Sequence, residues 1–357
     1  VDVKVGPDGA LYIADFYNRI IGHYEVPLNH PGRDRASGRI WKITYKGNQP
    51  HRDIPVKDWS KATLDELIAG LQHPQLNVRL KIADRLVDVW KEKAVEPVTK
   101  MMASAATTGQ TFVQGLWILH RLRALPEPLL NKAITHADPL VQVHGFRIFS
   151  EFEKLNDAHR TSVIEALASK DAFVQRVAAE VLTRFPALGN VKPLMVLHQQ
   201  TSDEDSHLKY TALLALRTNL AAKGIIQQVA TTQWNEDQQK VLVKASLDIP
   251  SPEVALFVLN YLKTHELTAE EFGKNLEYIG RYVTASQLNE TVALVQKQFE
   301  TNQDGQFALY GALRKGVAQS GLAATSNMQE WGVTMARHYL ELPIAEKEPA
   351  AVIARHV

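Results

Sequence analysis

The feature that most constrains the fold is a helical pattern that recurs about every 33 residues. After Asp171, the apolar residues follow the i, i+3, i+4, i+7 spacing of one buried helix face: Val174, Val177, Ala178, Val181, Leu182 and Phe185. Similar segments begin near residues 73, 138 and 205, and a weaker copy, TFVQGLWILHRL, lies between the first two. In the first copy the corresponding residues are Leu76, Leu80, Ala83, Val87 and Trp90. A unit of this length holds two helices and a turn, and neither helix can bury its apolar stripe alone, so the units must stack.

The turns between the helices favour one class of repeat. An Asp followed by a Val-Gln pair opens the second helix in DPLVQVHGFRIF and DAFVQRVAAEVL, which resembles HEAT-type repeats. The TPLH turn of ankyrin repeats and the Trp/Gly/Tyr set of tetratricopeptide repeats are both missing from the sequence. The predicted fold class is therefore mainly α, with a HEAT-like α-solenoid over residues 62–230. Residues 231–357 are predicted to form further helical hairpins, which either continue the solenoid or make a terminal bundle.

Local signals place the starts of several helices. Thr63 and Glu66 form a capping box, in which each residue's side chain bonds to the backbone N–H of the other. Other starts are predicted at Asn235, at Ser251-Pro252 and at the capping box Thr268 to Glu271.

The first 46 residues have a different, β-type pattern. VDVKV and ALYIAD read as two strands joined at Asp8-Gly9, a hairpin signal, and RIWKITYKG reads as a third. Residues 47–61 are polar, contain proline and are predicted to be a linker. Three strands with one buried face need further strands or a packing partner. We therefore expect a short antiparallel β segment that ends a larger β domain, in a chain that begins with Val1 as part of a longer polypeptide.

Composition and motifs exclude several classes of function. The 40 Lys and Arg residues nearly balance the 39 Asp and Glu residues and are interspersed with them, so nucleic-acid binding is disfavoured. With no cysteine, the chain forms no disulfide, thiolate nucleophile or covalent c-type haem link. No metal site can be read from the spacing of the 13 histidines, and no membrane span is predicted. No GxSxG, P-loop or GxGxxG motif is present.

The candidate site residues lie in the β segment. Asp15, Asn18 and His23 follow the second predicted strand, and Arg33 lies in the same long loop, where a β scaffold commonly carries binding groups. Polar side chains at strand ends also cap turns, and Arg33 can pair with Asp34 on the surface. The sequence favours structural roles for these residues over catalysis and leaves both open. No cofactor-binding or metal-binding residue is predicted.

The β segment resembles a known family. VDVKVGPDGALYIADFYN, IIGH and RDRASGRIWKIT resemble the last blade of the glucose/sorbosone dehydrogenase-like β-propeller in large, multidomain membrane-bound dehydrogenase proteins of bacteria. In that family HEAT-like repeats follow the propeller, and a cytochrome c-like haem domain commonly comes next. The resemblance implies that residues 1–46 are the terminal blade of a truncated propeller, and Asp15, Asn18, His23 and Arg33 match the family's pattern by position.

The resemblance also implies a setting and a role. The parent protein would be periplasmic or otherwise exported and would use PQQ, calcium and haem c, none of which is assigned to this chain. The first hypothesis is a non-catalytic scaffold that links a sugar- or alcohol-oxidising propeller to the haem domain, with a possible protein partner on the concave face of the solenoid. The second is that the loop after ALYIAD contributes to a quinone-dependent active site. The third is a stand-alone HEAT-repeat module that binds other proteins.

Overall fold

The computed structural model describes residues 2–15, 20, 25–34, 36–47 and 56–341. The chain divides into two compact units, Val1–Ile148 (unit 1) and Phe149–Val357 (unit 2). The predicted domain boundaries after residues 46, 61 and 230 stay predictions.

A three-stranded antiparallel sheet precedes the helices. Its strands are β1 (Asp2–Val5), β2 (Leu11–Asp15) and β3 (Arg39–Ile43), in the order β1-β2-β3. The turn between β1 and β2 closes with a hydrogen bond from Gly6 N to Ala10 O at 2.8 Å, and Gly9 adopts a φ of 81°, which glycine adopts at low cost. All three strands predicted from the sequence are therefore confirmed.

Asp8 fixes this turn to the sheet. Its carboxylate accepts hydrogen bonds from Ala10 N at 3.1 Å and from the Tyr12 hydroxyl at 3.0 Å, and it pairs with Lys42 Nζ at 2.6 Å. The hydrogen bond from Lys42, with further help from Ala10 and Tyr12, lowers the pKa of Asp8 to about 2. One side chain thus joins the hairpin turn to the third strand.

Helices make up most of residues 56–341. The helices up to the boundary between the units are α1 (Leu64–Gly70), α2 (Leu76–Arg85), α3 (Val95–Ala103), α4 (Gly109–Arg121), α5 (Glu127–Ile134) and α6 (Pro139–Phe149). The helices of unit 2 are α7 (Asp157–Ala166), α8 (Ala172–Arg184), α9 (Leu188–Gln200), α10 (Ser206–Ala221), α11 (Ile225–Thr231), α12 (Glu236–Ser246), α13 (Pro252–Thr264), α14 (Ala269–Tyr282), α15 (Ala285–Gln298), α16 (Gln303–Ser320) and α17 (Ser326–Glu341).

The even-numbered helices begin at a nearly constant interval. Their first residues are 76, 109, 139, 172, 206, 236, 269 and 303, which lie 30 to 34 residues apart. The spacing persists beyond residue 230, where the apolar pattern of the sequence weakens. The prediction of a mainly α chain of repeated helix pairs behind a small antiparallel sheet is confirmed.

The turns before α2, α6 and α8 share a hydrogen-bond pattern. The side chains of His73, His136 and Ser169 each accept a bond from the backbone N–H two residues later, at 3.0 to 3.2 Å. Arg79 and Gln142 then reach back from the first turn of α2 and α6 to the carbonyl oxygens of His73 and His136, both at 2.6 Å. These bonds satisfy polar groups that the turn would otherwise leave unpaired.

A buried amide network joins α8, α9 and α10. Asn219 is fully buried, and its Nδ2 donates to Leu182 O at 3.1 Å and to Ala215 O at 2.8 Å. Its Oδ1 accepts from Ala187 N and from Asn190 Nδ2, both at 2.9 Å. One side chain therefore satisfies groups on three helices, and any replacement without an amide leaves several of them unpaired.

Glycines allow α14 and α16 to approach closely. A Cβ at Gly316 would collide with the carbonyl oxygen of Glu277, and one at Gly280 would lie 2.6 Å from Leu313 O. Lys315 Nζ pairs with Glu277 Oε2 across the same contact at 3.0 Å. Because the backbones touch directly, side chains larger than hydrogen do not fit at these two positions.

Candidate functional site

The structure places two of the four predicted site residues in local hydrogen bonds. Asp15 Oδ2 accepts from Trp41 Nε1 at 3.0 Å, which joins the end of β2 to the middle of β3. Arg33 donates to Pro27 O at 3.0 Å and to Val26 O at 2.7 Å. Asn18 and His23 lie outside the described residues. A catalytic role for these four residues stays a prediction.

One face of the sheet is apolar and largely uncovered. Cross-strand register places Val3 opposite Ile13 and Ile13 opposite Trp41, so these side chains share a face. Val5, Leu11 and Ile43 make a second row on that face. Val3, Trp41 and Ile43 are about half exposed. The sheet thus has the uncovered face expected of a β segment that needs a packing partner.

A deeper apolar feature lies along the even-numbered helices of unit 1. α2, α4 and α6 enclose a cavity of about 470 Å³, here named the α2–α4–α6 groove. Its main apolar lining residues are Leu76, Leu80, Val113, Trp117, Ile118 and Leu140. The leucines on α2 and α6 are among the more exposed large apolar side chains of the described chain. A concave surface of this size and character is typical of binding sites.

The groove corrects one prediction from the sequence. Leu76 and Leu80 are 51% and 47% exposed, so the prediction that they face the core is wrong. The core side of α2 is formed by Val78 and Ile82, and Leu86 extends that stripe into a π-helical turn, Leu86–Trp90. Because α2 carries two apolar stripes, the spacing of apolar residues alone did not show which stripe is buried. The wider π-helical turn also changes which residues face the core after residue 85.

A histidine lies within the groove. Trp117 Nε1 donates to His144 Nδ1 at 2.9 Å, and because an indole can only donate, Nδ1 of His144 is the acceptor. Burial, aided by the charge of Arg147, lowers the pKa of His144, so the ring is neutral with its proton on Nε2. The His144 side chain is half-buried.

One edge of the groove is charged. Arg121 Nη1 pairs with Asp84 Oδ1 at 3.0 Å, and Arg121 Nη2 lies 3.7 Å from Asp88 Oδ1. Lys81 Nζ lies 3.9 Å from Asp84 Oδ2. All these groups are well exposed, so the pairs are weak and can exchange for a ligand's charges at small cost.

The described residues supply neither a cluster of acidic or histidine side chains for a metal ion nor a cysteine for a c-type haem. Within residues 2–15, 20, 25–34, 36–47 and 56–341, no group of three or more His, Asp or Glu side chains could hold a metal ion. The chain has no cysteine to attach a c-type haem. In the same residues, no helix is both long and apolar enough to cross a membrane.

The lowered pKa of His144 predicts a pH dependence of stability. As pH falls below the ordinary histidine pKa of 6.5, the unfolded chain takes up a proton before the folded chain does, so stability is lost toward acid. In His144→Gln the amide oxygen can accept from Trp117 but does not titrate. The loss of thermal midpoint between about pH 7.5 and about pH 5.5 should therefore be smaller in the variant than in the wild type. Equal losses in the two proteins would contradict this assignment.

Comparison with known proteins gives one family match. A model described as a domain of unknown function, DUF7133, matches residues 1–47, which is the β segment. No curated protein matches the chain.

Solved structures give distant likenesses only. One engineered protein has 15% identity and a TM-score of 0.32, covering 82% of this chain and 87% of its own. A second has 14% identity and a TM-score of 0.26, covering 75% and 97%. The CpcE–CpcF complex of phycocyanin lyase from Nostoc sp. PCC7120 has 17% identity and a TM-score of 0.24, covering 79% and 97%. Likenesses at this level carry no argument about function.

Proposed function

We propose that this chain is a non-catalytic helical-repeat scaffold that docks a protein segment in the α2–α4–α6 groove. The observation that carries the proposal is the groove itself, with Leu76, Leu80 and Leu140 left 44% to 51% exposed around a cavity of about 470 Å³. Large apolar side chains gathered around one concavity lose contact with water when a partner binds, which favours association.

The shape of the groove indicates the kind of segment it binds. Leu76 and Leu80 lie one turn apart on α2 and therefore present a ridge along that helix. An amphipathic helix with leucine-like residues at i, i+3 or i+4 can lay its apolar face against such a surface. Asp84 and Asp88 at the charged edge are balanced by Lys81 and Arg121, so the edge can accept a charge of either sign at the end of the segment.

The β segment supports the further proposal that this sheet belongs to a larger β domain. The uncovered apolar face with Val3, Trp41 and Ile43 favours packing against more β structure of the same polypeptide. The family resemblance supplies the setting: an exported dehydrogenase whose upstream propeller contains this sheet and whose downstream haem domain follows the helices. That setting is supported by the resemblance alone.

Selection from a library of displayed helical peptides tests the docking proposal. We expect binders to the 357-residue chain to share apolar residues at helical spacing and to bind Leu80→Lys at least about tenfold more weakly. Leu256→Lys is the matched control, because Leu256 is an exposed leucine on α13, outside the groove. Peptides that bind wild type and Leu80→Lys equally, or a selection that yields no such peptide, would refute the groove as the docking surface.

A further inference from the structure

Unit 2 contains a second cavity with different chemistry. Residues of α12, α13, the following loop and α14 enclose about 350 Å³, here named the α12–α14 cavity. Its apolar walls come from Val243, Leu247, Tyr261 and Leu267. Val243 and Tyr261 are buried, and Leu247 and Leu267 are half-buried. This volume is within the range of small-molecule sites.

The rim of the cavity is rich in ammonium groups. Lys240, Lys244 and Lys274 all line it, together with one acid, Glu271. Lys240 and Lys274 each pair with the glutamate four residues earlier, at 2.7 and 2.8 Å. The Glu271 carboxylate is held by the N–H and hydroxyl of Thr268 in the capping box at the start of α14.

Lys244 differs from the other two lysines. It forms no ion pair with any residue in the described part of the chain, although its charge helps to lower the pKa of Asp203, which itself pairs with Lys209. The rim therefore offers one ammonium group that is free to pair with an anion from solution.

A buried amide also lines the cavity. Asn275 is only 7% exposed, and its Nδ2 donates to the carbonyl oxygen of Glu271 at 2.9 Å, which fixes the orientation of the amide. Its Oδ1 has no hydrogen-bond partner among the described residues. A buried acceptor without a donor is unfavourable, and a donor brought by a ligand would relieve it.

We propose that the α12–α14 cavity binds a small carboxylic acid with a flat apolar body that carries an N–H or O–H group. The carboxylate would pair with Lys244, the apolar body would pack between Val243, Leu247 and Tyr261, and the donor would face Asn275. The observations behind this are the cavity volume, the unpaired ammonium and the unpaired amide oxygen. The proposal is independent of the docking groove of unit 1.

Titration with indole-3-acetate tests the proposal, because this probe has a carboxylate, a flat apolar body and an N–H donor. Isothermal titration calorimetry of the 357-residue chain should show saturable one-to-one binding. Lys244→Met keeps the side-chain stem and removes the charge, and the neutral analogue indole-3-acetamide removes the opposite charge. Each change should weaken binding at least about fivefold.

Two controls separate this site from general attraction. Lys223→Met removes an exposed lysine elsewhere in unit 2 and should leave binding unchanged. Leu247→Trp fills the cavity and should abolish binding while circular dichroism shows an unchanged helical content. Absence of saturable binding at millimolar indole-3-acetate, or equal binding by Lys244→Met and wild type, would overturn the proposal.

Discussion

Replacing Gly316 with alanine is expected to lower the free energy of unfolding of unit 2 by about 3 kcal/mol, as overpacking of a rigid contact does. The new Cβ would collide with the carbonyl oxygen of Glu277 on α14, and a backbone atom in a helix cannot move aside without breaking its own hydrogen bonds. The two helices must therefore separate, and the packing around Gly280 and the pair between Lys315 and Glu277 are lost with them.

Gly311→Ala is the matched control on the same helix. A Cβ at Gly311 meets nothing within 4 Å, so only the higher helix propensity of alanine acts there. This variant should be as stable as the wild type or more stable by about 0.5 to 1 kcal/mol in chemical denaturation. Equal destabilisation by the two substitutions would show that the close backbone approach of α14 and α16 does not limit residue size.

Replacing Asn219 with alanine is expected to cost a similar amount, about 3 kcal/mol, because several buried polar groups lose a partner at once. The N–H of Ala187 loses its acceptor, the amide of Asn190 loses one of its two acceptors, and Leu182 O loses its donor. Water cannot easily replace the amide, since both asparagines are fully buried. The measurement is urea unfolding followed by circular dichroism.

Asn260→Ala provides the comparison. Asn260 is exposed on α13, and within the described residues its side chain makes one hydrogen bond, accepted from the Lys263 ammonium at 3.0 Å. Its removal should change stability by no more than about 0.5 kcal/mol. If Asn219→Ala also changed stability by no more than about 0.5 kcal/mol, the buried amide network would not stabilise the packing of α8, α9 and α10.

The parts of the fold that could be predicted depend on neighbours in sequence. The capping boxes that begin at Thr63 and Thr268 and the N-cap at Asn235 are confirmed, because each uses atoms within four residues. The hairpin at Asp8-Gly9 is confirmed for the same reason.

The parts that could not be predicted depend on distant partners. Asn219 bonds to Leu182 across 37 residues, and nothing near either residue in sequence marks the pair. In the sequence, Gly316 is an unfavourable residue inside a predicted helix. The reason that no larger side chain fits there is the backbone of α14, which is distant in sequence. The apolar pattern weakens after residue 230, yet the helix starts keep their interval, since a repeat constrains length and turn position more tightly than the choice of each core residue.

The sequence directs attention to candidate site residues in the β segment, and the structure adds a second candidate surface on the helices. Loop chemistry led to Asp15 and Arg33, and both make local hydrogen bonds in the structure. The signal for the groove was present in α2, where Leu76 and Leu80 form a second apolar stripe beside Val78 and Ile82. A helix with two apolar stripes either lies in the core or presents one stripe to a partner, and periodicity cannot separate these cases.

The most direct test of the scaffold account is amide hydrogen exchange of the 357-residue chain, measured with and without a selected groove-binding peptide. The account predicts that the peptide slows exchange in α2, α4 and α6 and leaves α13 and the loop at residues 25–34 unchanged. Unchanged exchange in those three helices, with slowing confined to the loop, would contradict docking on the repeats. It would show that the peptide binds the β segment instead.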